Sequence, residues 1–509
     1  MQVDQSNHPG ARHPLVVVSN REPYLHKHRP DGAIMAVPTT GGVAVALDAL
    51  MRERGGTWLA HGAGDADREV VDSHDRVRVP PDAPTYTLRR IWLTPEEERR
   101  YYNGFANEGL WPLCHIAHVR PVFRSEDWDE YRAVNARFAE AIATELPDLS
   151  SPVFIQDYHL ALAALELRAH VPHVRAALFW HIPWPDPDRL RMCPWRQDIM
   201  RGLLANDLLA FQLERDRRNF LRGVQEELTA DVERGVVRLD GRSTRVVAAP
   251  IGVDFDRIQQ VAADDSLPLE IARLRRELRF EGHEVEIVGI GVDRLDYTKG
   301  IPERLAAIDQ LLTARPDLRS RLVFVQVGVP SRSRIDSYAA IEKEIDDQIA
   351  GINSKHGRGP ADGPVRYRKS ALKIRRLVAL YRLADFCVVS SLHDGMNLVA
   401  KEFVAARDDN DGVLVLSEMT GAAQELKDAL IINPYHIDGF AATLERAIAM
   451  PADERAARMR ALRRVVAGHD VFLWASDILE SLERTPHQGS SDDPLRGTIA
   501  AGGSSRGAR

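Results

Sequence analysis

The sequence predicts an α/β protein made of two doubly wound halves, each a mostly parallel sheet covered by helices. Short continuous apolar runs occur in two separate series, and such runs are typical of strands buried on both faces of a parallel sheet. Stretches with helical periodicity lie between the runs, and this alternation indicates α/β sheets. The 509 residues suffice for at least two such halves.

The first series begins with the run Leu15–Ser19, followed by a polar loop to about Pro38 and a helix after Gly41–Gly42. Its other strands are predicted at Val153–Gln156, Ala176–Trp180 and Leu208–Phe211, with helices at Tyr131–Thr144 and Leu160–Arg168. The second series has strands predicted at Glu286–Gly291, Arg321–Val327, Asp385–Ser390 and Gly412–Ser417, with helices at 302–314, 334–350, 373–382, 397–407 and 437–449. Because open α/β sheets bind ligands at the carboxyl ends of their strands, we expect the functional residues directly after these runs.

Three segments are predicted to lie outside the two sheets. Pro250–Leu267 is predicted to be the linker between the halves. Residues 1–14 are polar and are predicted to form a flexible N-terminus. Residues 486–509 are rich in glycine and serine with few large apolar side chains, which predicts a disordered tail.

The composition excludes several classes of protein. Apolar residues make up 44% and charged residues 28%, as in ordinary globular chains, and a net charge of −7 gives no basic excess for nucleic acid or anionic membranes. The three cysteines, Cys114, Cys193 and Cys387, are too few and too scattered for a disulfide framework. With a polar N-terminus and no apolar run of roughly 20 residues to span a bilayer, we expect a cytoplasmic enzyme without a nucleic-acid or membrane partner.

Two cations follow the first strand of the second half. Arg294 and Lys299 lie in VDRLDYTKG (292–300), between a predicted strand and the next helix. Two fixed cations beside a helix N-terminus favour the binding of a diphosphate. The alternative is a pair of surface cations that form salt bridges with Asp293 and Asp296.

A second polar motif, HDGMNLVAKE (393–402), also follows a predicted strand. Asp394 is expected at the carboxyl end of that strand, where a carboxylate can accept hydrogen bonds from sugar hydroxyls. The backbone amides of Gly395 and Met396 are expected beside it, and Glu402, about two turns along the helix, is in position for a ribose. The alternative is a helix cap at Asp394 and a solvated Glu402.

The N-terminal half carries a third set of polar and aromatic residues near the predicted strand ends. They are Asn20, Arg21, Gly41, Gly42, Tyr101, Tyr102, Trp111, Gln156, Asp157, Tyr158, His159, Trp180, His181, Ile182, Pro183 and Trp184. Aromatic rings that pack on a sugar, an aspartate that accepts from hydroxyls and an arginine that holds a phosphate together favour a sugar-phosphate pocket. Each residue also has a structural alternative. A lone histidine is more often a structural residue than a catalyst, and Trp111 and Trp184, judged singly, are more typical of a hydrophobic core.

No metal site and no cofactor is predicted. The Asp-x-Asp pairs Asp65–Asp67 and Asp186–Asp188 lie in polar or proline-rich segments and are interpreted as solvated turns. His115 and His118 have no evident carboxylate partner, so packing or surface exposure explains them better than a metal.

Nine segments of the chain resemble, in order, the retaining glycosyltransferases that make trehalose 6-phosphate, which form family 20. They are VVVSNR, the GG pair, YYNGFANEGLWP, QDYHL, HIPWP, VDRLDYTKGIPER, VPSR, DGMNLVAKEFVAA and TGAAQEL, and the similarity extends from about Leu15 to about Leu482. Each segment alone is a weak signal, whereas nine in the same order are specific.

The resemblance implies a GT-B fold, in which two Rossmann-like domains face each other across a cleft and a C-terminal helix crosses back. It implies an acceptor-binding domain at 15–250, a nucleotide-sugar-binding domain at 251–470 and a crossing helix at 471–485, near Phe472–Leu482. The implied reaction moves glucose, with retention, from a nucleoside diphosphate glucose (NDP-glucose) to the anomeric hydroxyl of glucose 6-phosphate. A homo-oligomer is implied by the resemblance alone.

The resemblance also implies a role for individual residues. The implied acceptor pocket comprises Arg21, Tyr102, Trp111, Asp157, His181 and Arg332, with Arg21 and Arg332 on the phosphate. The implied donor site comprises Gly42, Arg294, Lys299, Asp394, Gly395, Met396, Asn397, Leu398 and Glu402, with Arg294 and Lys299 on the diphosphate and Glu402 on the ribose. The implied catalytic set is Asp157, His181, Arg294, Lys299 and Asp394, in which His181 orients the substrates and is not a nucleophile.

Several alternatives remain open at this point. The segment Ser370–Leu377 lacks the aromatic residue and the histidine that often accompany a UDP-glucose preference, so UDP-, GDP- and ADP-glucose are all candidate donors. Relatives that transfer glucose to glycerol 3-phosphate, or that join cyclitol units, represent other acceptors. A catalytically silent regulatory homologue is the third alternative, and the presence of the whole implied catalytic set argues against it.

Overall fold

The computed structural model describes residues 13–39, 42–148, 150–280, 284–332, 334–357 and 362–485. Nearly all of the predicted flexible N-terminus and the whole predicted tail at 486–509 lie outside the described residues, as does Gly41. Within the described ranges the chain forms two large sheets, each covered by helices on both faces, and one small hairpin.

The first sheet takes its strands from the N-terminal half of the chain. The strands in this half are β1 (Leu15–Arg21), β2 (Tyr24–His28), β3 (Ile34–Pro38), β4 (Gly56–His61), β5 (Arg76–Val79), β6 (Tyr86–Ile91), β7 (Val153–Gln156), β8 (Ala176–Trp180), β9 (Leu208–Phe211), β10 (Asp231–Glu233), β11 (Val236–Leu239) and β12 (Arg242–Ala248). Among the described residues the sheet order is β10-β11-β12-β9-β8-β7-β1-β4-β6-β5, and β2 pairs with β3 as a separate hairpin. The pairings from β12 through β1 to β6 are parallel, and antiparallel strands close both edges.

The second sheet lies in the C-terminal half. Its strands are β13 (Ile287–Arg294), β14 (Leu322–Val329), β15 (Val365–Arg368), β16 (Phe386–Val389), β17 (Val413–Ser417) and β18 (Leu430–Ile432). Their order, for the part of the chain that is described, is β15-β14-β13-β16-β17-β18, and every pairing is parallel. The central strands β14, β16 and β17 are buried along almost their whole length, which explains their unbroken apolar sequences.

Helices cover both sheets. In chain order they are α1 (Gly42–Arg54), α2 (Pro95–Glu98), α3 (Trp111–Cys114), α4 (Ser125–Glu145), α5 (Ala163–His170), α6 (Pro187–Leu190), α7 (Arg196–Leu203), α8 (Glu214–Glu227), α9 (Phe255–Ala262), α10 (Leu267–Glu277), α11 (Ile301–Ala314), α12 (Asp336–His356), α13 (Ile374–Leu383), α14 (Leu398–Ala406), α15 (Ile437–Ala449), α16 (Ala452–Gly468) and α17 (Val471–Glu483). A π-helix, Arg99–Leu110, joins α2 to α3, so that Trp111 directly continues its last turn. In the described ranges, no helix is both long and apolar enough to cross a membrane.

The last helix, α17, returns to the N-terminal half. Its Trp474 ring packs against Phe154 of β7 and Phe179 of β8, with ring centroids 5.9 and 4.9 Å away. Buried apolar residues of both sheets and of α17 belong to one continuous cluster. The fold is therefore GT-B-like, with two Rossmann-like sheets and a helix that crosses back, as the sequence predicts.

Four local predictions differ from the structure. The predicted polar loop after β1 contains the β2–β3 hairpin, and the predicted linker Pro250–Leu267 contains the helix α9, which packs on the second half. The predicted helix Leu160–Arg168 begins only at Ala163, after a 3-10 turn at Tyr158–Leu160. The strand β13 continues to Arg294, so this cation lies at the end of a rigid strand and not within the following loop.

Candidate active site

The carboxyl ends of neighbouring strands bring the predicted residues of each half together. In the second sheet β13 lies between β14 and β16, so Arg294, Arg332 and Asp394 project from one edge. In the first sheet β1, β7 and β8 are consecutive neighbours, and they deliver Arg21, Asp157 and His181 to the corresponding edge. The two edges face each other across a cleft.

Lys299 and Asp394 form an ion pair at the centre of the second edge. The Lys299 Nζ donates to Asp394 Oδ2 over 2.6 Å, and Ser391 Oγ and Asn397 Nδ2 donate to the same oxygen. Burial opposes ionisation, but Lys299 outweighs it and lowers the pKa of Asp394 to about 2, so the group is a carboxylate. Asn397 caps α14 by accepting from the Ala400 amide, so the alternative of a helix cap at Asp394 is wrong.

Arg294 remains partly accessible at the same edge. Its side chain is 34% exposed, and its nearest carboxylate, Asp296 Oδ2, is 3.8 Å from Nη2. The alternative salt-bridge partner Asp293 instead pairs with the buried Arg304 over 2.8 Å. Arg294 thus forms a long ion pair with Asp296, as one part of the salt-bridge alternative predicts, and its partly exposed guanidinium still faces the cleft.

Arg332 lies deeper, between the two halves. Its guanidinium stands 4.2 Å above the ring of Trp111 from the opposite half, and the side chain is only 4% exposed. Its Nη1 donates to the hydroxyl of Tyr338 over 2.5 Å and its Nη2 to that of Tyr158 over 3.1 Å. Asp296 Oδ2, which also faces Arg294, is 3.8 Å from Arg332, so one buried carboxylate stands between the two arginines.

Arg21 of the first half and Arg332 of the second both act on the hydroxyl of Tyr102. The Tyr102 ring stacks on His159 with centroids 5.4 Å apart, and Arg21 Nη2 lies 3.5 Å from the Tyr102 hydroxyl. Burial alone raises the pKa of this phenol, but Arg332 and Arg21 outweigh burial and lower the pKa to about 7. The cluster therefore carries an excess of positive charge suited to a phosphate.

Asp157 and His181 are joined through the backbone. Asp157 Oδ1 accepts from the His181 amide over 3.1 Å. Burial raises the pKa of Asp157 to about 6 and lowers the pKa of His181 to about 3. At neutral pH the site thus holds an aspartate that can accept from hydroxyls and a neutral imidazole.

The two halves touch directly at the site. A Cβ placed on Gly395 would lie 2.4 Å from the carbonyl oxygen of His181, so only glycine fits this approach. Two residues earlier, His393 Nδ1 accepts from the Ile116 amide of the other half over 3.3 Å. The cleft is closed around these contacts.

Two further predicted residues, Glu402 and Gly42, lie on helices of the second and the first half. Glu402 is partly buried and accepts from the Tyr381 hydroxyl over 3.2 Å, so the alternative of a solvated side chain is wrong. Burial raises the pKa of Glu402 to about 7. Gly42 is the first residue of α1, at a helix N-terminus. Met396 is buried and Leu398 is the first residue of α14, so the backbone from Gly395 to Leu398 leads directly into this helix.

Backbone strain marks the same positions. Asp157, Arg332 and Asn397 have φ of 75°, 54° and 88°, values that non-glycine residues rarely adopt. Such residues cost of order 1–3 kcal/mol each and concentrate at functional sites. Five other described non-glycine residues, Asp75, His118, Arg234, Asp240 and Asn410, also have positive φ, so these values support a functional site only together with its contacts.

Five residues of the site have no individual binding role in the sequence-based prediction. They are Tyr158, His159, Asp296, Tyr338 and His393, which contact the predicted residues as described above. Four of them lie inside the motifs QDYHL, VDRLDYTKG and HDGMN, and their position in these motifs is the sequence signal that could have identified them. Tyr338 follows no motif, and only the fold brings its hydroxyl to Arg332.

The candidate metal residues have other roles. Asp67 is fully buried and contacts Arg90 and His26, so the interpretation of Asp65–Asp67 as a solvated turn is wrong for Asp67. Asp186 caps α6 and Asp188 is exposed. His115 stacks on Trp111 with centroids 4.1 Å apart, and His118 is exposed, as packing and exposure predict. Across the described ranges, no group of three or more His, Cys, Asp or Glu side chains could hold a metal ion.

The fold and the site together define a class of enzyme. Two facing Rossmann-like sheets, a crossing helix, and a cleft lined by four cations and a buried carboxylate define a glycosyltransferase of the GT-B type that uses a nucleotide sugar.

Comparison with known proteins places the chain within that class. The model of glycosyltransferase family 20 matches residues 13–484, and the chain belongs to this family. It is 39% identical to the trehalose-6-phosphate synthase of Mycobacterium avium over 485 residues, covering 93% of this chain and 96% of that protein.

Solved structures of similar enzymes have the same fold. One is an α,α-trehalose-phosphate synthase (UDP-forming) of Burkholderia xenovorans in complex with glucose 6-phosphate, at 33% identity and a TM-score of 0.81, covering 92% of this chain and 100% of that one. Another is the E. coli protein bound with UDP-2-fluoro glucose, at 32% identity and a TM-score of 0.81, covering 92% and 99%.

Proposed function

We propose that the chain transfers glucose from an NDP-glucose to glucose 6-phosphate, with retention, giving α,α-trehalose 6-phosphate and the nucleoside diphosphate. The carrying observation is a cleft lined by four cations, Arg294, Lys299, Arg332 and Arg21. Two anionic substrates that meet in one cleft need such a concentration of positive charge. Solved relatives bound with glucose 6-phosphate and with UDP-2-fluoro glucose support two anionic ligands of these kinds.

On the donor side, Arg294 and Lys299 hold the diphosphate, and Gly42 lets the backbone approach it closely. Asp394 accepts from hydroxyls of the transferred glucose, which its ionised state favours. The amides of Gly395, Met396, Asn397 and Leu398 line that sugar. Glu402 binds the ribose.

On the acceptor side, Arg21 and Arg332 hold the phosphate, and the Tyr102 hydroxyl donates to it. Trp111 holds the Arg332 guanidinium beside the acceptor, while Asp157 accepts from hydroxyls of the acceptor sugar. His181, neutral in this environment, orients both substrates. These assignments make residues 15–250 the acceptor domain and 251–470 the nucleotide-sugar domain, with 471–485 as the crossing helix.

The reaction proceeds by attack on the same face as the leaving group. The acceptor's anomeric oxygen forms a bond to the donor glucose C1, the bond from C1 to the β-phosphate oxygen breaks, and that phosphate oxygen takes the acceptor's proton. Negative charge develops on the leaving diphosphate, and the fixed cation of Arg294 stabilises it where it develops. This route does not need the carboxylate pair of a retaining glycosidase.

Two further parts of the proposal concern the cellular setting. We place the chain in the reducing cytoplasm, supported by three free cysteines that are all buried. A homo-oligomer rests on family resemblance, and light scattering on the purified chain tests it.

The activity is tested with a matrix of donors and acceptors. UDP-, GDP- and ADP-glucose are each combined with glucose 6-phosphate, with glycerol 3-phosphate or with no acceptor, and release of the nucleoside diphosphate is measured. We expect release from at least one donor only when glucose 6-phosphate is present. Release with glycerol 3-phosphate and none with glucose 6-phosphate refutes the proposed acceptor, and no release in any arm supports a silent homologue.

The phenol of Tyr102 predicts a pH dependence. Its pKa of about 7 means that it is a neutral donor below that pH and a phenolate above it, and a phenolate repels the acceptor phosphate. We expect the KM for glucose 6-phosphate to rise as pH increases through about 7. In Tyr102→Phe that rise should disappear while the KM at low pH increases, and an unchanged pH profile would show that the phosphate lies elsewhere.

A further inference from the structure

A buried hydrogen-bond path starts on the donor helix α14. Lys401 is 1% exposed, and its Nζ donates to the carbonyl of Ile251 over 2.7 Å while forming an ion pair with Glu425 over 2.6 Å. Burial lowers the pKa of Lys401, and Glu425 opposes that shift. A buried charge aimed at a backbone carbonyl holds that carbonyl firmly. Lys401 directly precedes Glu402, the residue proposed for the ribose.

The path continues through Ile251 into the first half. The Ile251 amide donates over 3.0 Å to Oε1 of Gln212, a 2% exposed residue directly after β9. The Gln212 Nε2 then lies 3.5 Å from Nδ1 of His181. Since Oε1 is occupied by an amide donor, the NH2 of Gln212 must face His181, and Nδ1 must be the acceptor.

This arrangement selects one tautomer of His181. With Nδ1 accepting, the proton is on Nε2, which donates to Gln156 Oε1 over 3.0 Å. Burial keeps the ring neutral, because it lowers the pKa of His181 to about 3. Two glutamines therefore engage both imidazole nitrogens of His181 and fix the orientation and the proton position of this side chain.

The backbone at Ile251 is where the two halves are connected. The next residue, Gly252, packs so closely that a Cβ would lie 1.9 Å from the His469 carbonyl, and the Val471 amide donates to Val253 over 3.3 Å. The chain passes from the first half to the second near Ile251 and returns near His469, and these two connecting segments contact each other. Lys401 therefore ties α14 to the segment that connects the halves, in addition to the direct contacts at Gly395 and His393.

We propose that Gln212 and Lys401 are positioning residues that couple the donor helix, through the hinge at Ile251, to the orientation of His181. The proposal rests on the proposed function only in assigning the two substrates to the two halves. The proposal predicts that a substitution on α14 changes the KM for the acceptor, although α14 belongs to the half proposed to bind the donor.

The first test is Gln212→Glu. The carboxylate still accepts from the Ile251 amide, but it now offers an acceptor to His181 Nδ1 where the wild type offers a donor. The introduced carboxylate and His181 therefore take up, as a pair, a proton that the wild-type pair does not, because a buried carboxylate stabilises an imidazolium. The nearby titratable groups, Asp157 and His159, are the same in both proteins.

We expect kcat/KM of Gln212→Glu to acquire a new ionisation that is absent from the wild-type pH profile, with Gln212→Leu lowering activity at every pH. Equal profiles for Gln212→Glu and the wild type would overturn the coupling to His181. The assay uses whichever acceptor supports turnover by the wild-type protein. If glucose 6-phosphate is not the acceptor, the wild-type assay shows it, and that result is distinct from a failure of the coupling through Gln212.

The second test removes the charge of Lys401 without leaving Glu425 as an unpaired buried charge. Lys401→Met is made with Glu425→Gln and compared with Glu425→Gln alone. The stability control is Thr244→Val, which loses a buried hydroxyl donor shared between two backbone carbonyls elsewhere in the first half. We expect the acceptor KM to rise about tenfold in the Lys401 variant, the size of one lost charge-assisted hydrogen bond. An unchanged acceptor KM, or the same rise in Thr244→Val at matched melting temperature, would overturn the proposal.

Discussion

Replacing Arg294 by alanine lowers kcat by about 10²–10³, the typical cost of removing one group that stabilises charge in the transition state. The physical reason is the position of this guanidinium at the end of β13, where Arg294 pairs with Val329 of β14. Its nearest carboxylate is 3.8 Å away, so its charge is available to the leaving diphosphate. The measurement is the initial rate at saturating NDP-glucose and glucose 6-phosphate.

Two further variants make this result specific. Arg321→Ala removes an exposed arginine near the opposite end of the same sheet, where it pairs with Glu286, and should leave kcat unchanged. Arg294→Lys keeps the charge but not the forked geometry and should give an intermediate rate. If Arg294→Ala turns over as fast as Arg321→Ala, the diphosphate does not bind at Arg294.

Replacing Gly395 by alanine lowers kcat/KM by about 10²-fold, although alanine adds only one methyl group. That methyl carbon would lie 2.4 Å from the His181 carbonyl of the other half, so the cleft cannot close and the reacting groups stay apart. The contact lies between the halves and in the core of neither, so we expect the melting temperature to change little.

Gly351→Ala is the matched control. A Cβ at Gly351 meets nothing within 4 Å, and the residue lies inside the helix α12. Alanine there should raise the free energy of unfolding by about 0.5–1 kcal/mol without changing activity. A fully active Gly395→Ala would mean that the closed arrangement is not the one in which the reaction occurs.

Much of the central architecture is predictable because buried parallel strands leave an unmistakable pattern. The runs at Val153–Gln156 and Ala176–Trp180 appear as strands with those bounds, since burial on both faces selects apolar residues along the whole strand. Asp157 and His181 could be placed at the edge of the sheet because each directly follows such a run. Their closeness then follows from parallel pairing of β7 with β8.

Other features depend on contacts that no local pattern contains. The hairpin β2–β3 has polar and exposed residues that resemble a loop, and Asp67 resembles a turn residue until Arg90, distant in sequence, is packed against it. The sequence does not predict a role for Gln212, because only the fold brings Ile251 and His181 into contact with its side chain. Such roles come from tertiary packing, and sequence spacing cannot predict them.

The central claim is that glucose is transferred with retention to the anomeric hydroxyl of glucose 6-phosphate. The most direct test is NMR of the product made from NDP-glucose carrying ¹³C at the glucose C1, with unlabelled glucose 6-phosphate as acceptor. We predict a labelled α-configured C1 joined to the anomeric carbon of the acceptor, as in α,α-trehalose 6-phosphate. A β-configured labelled carbon, or a linkage to any other hydroxyl of the acceptor, would contradict it.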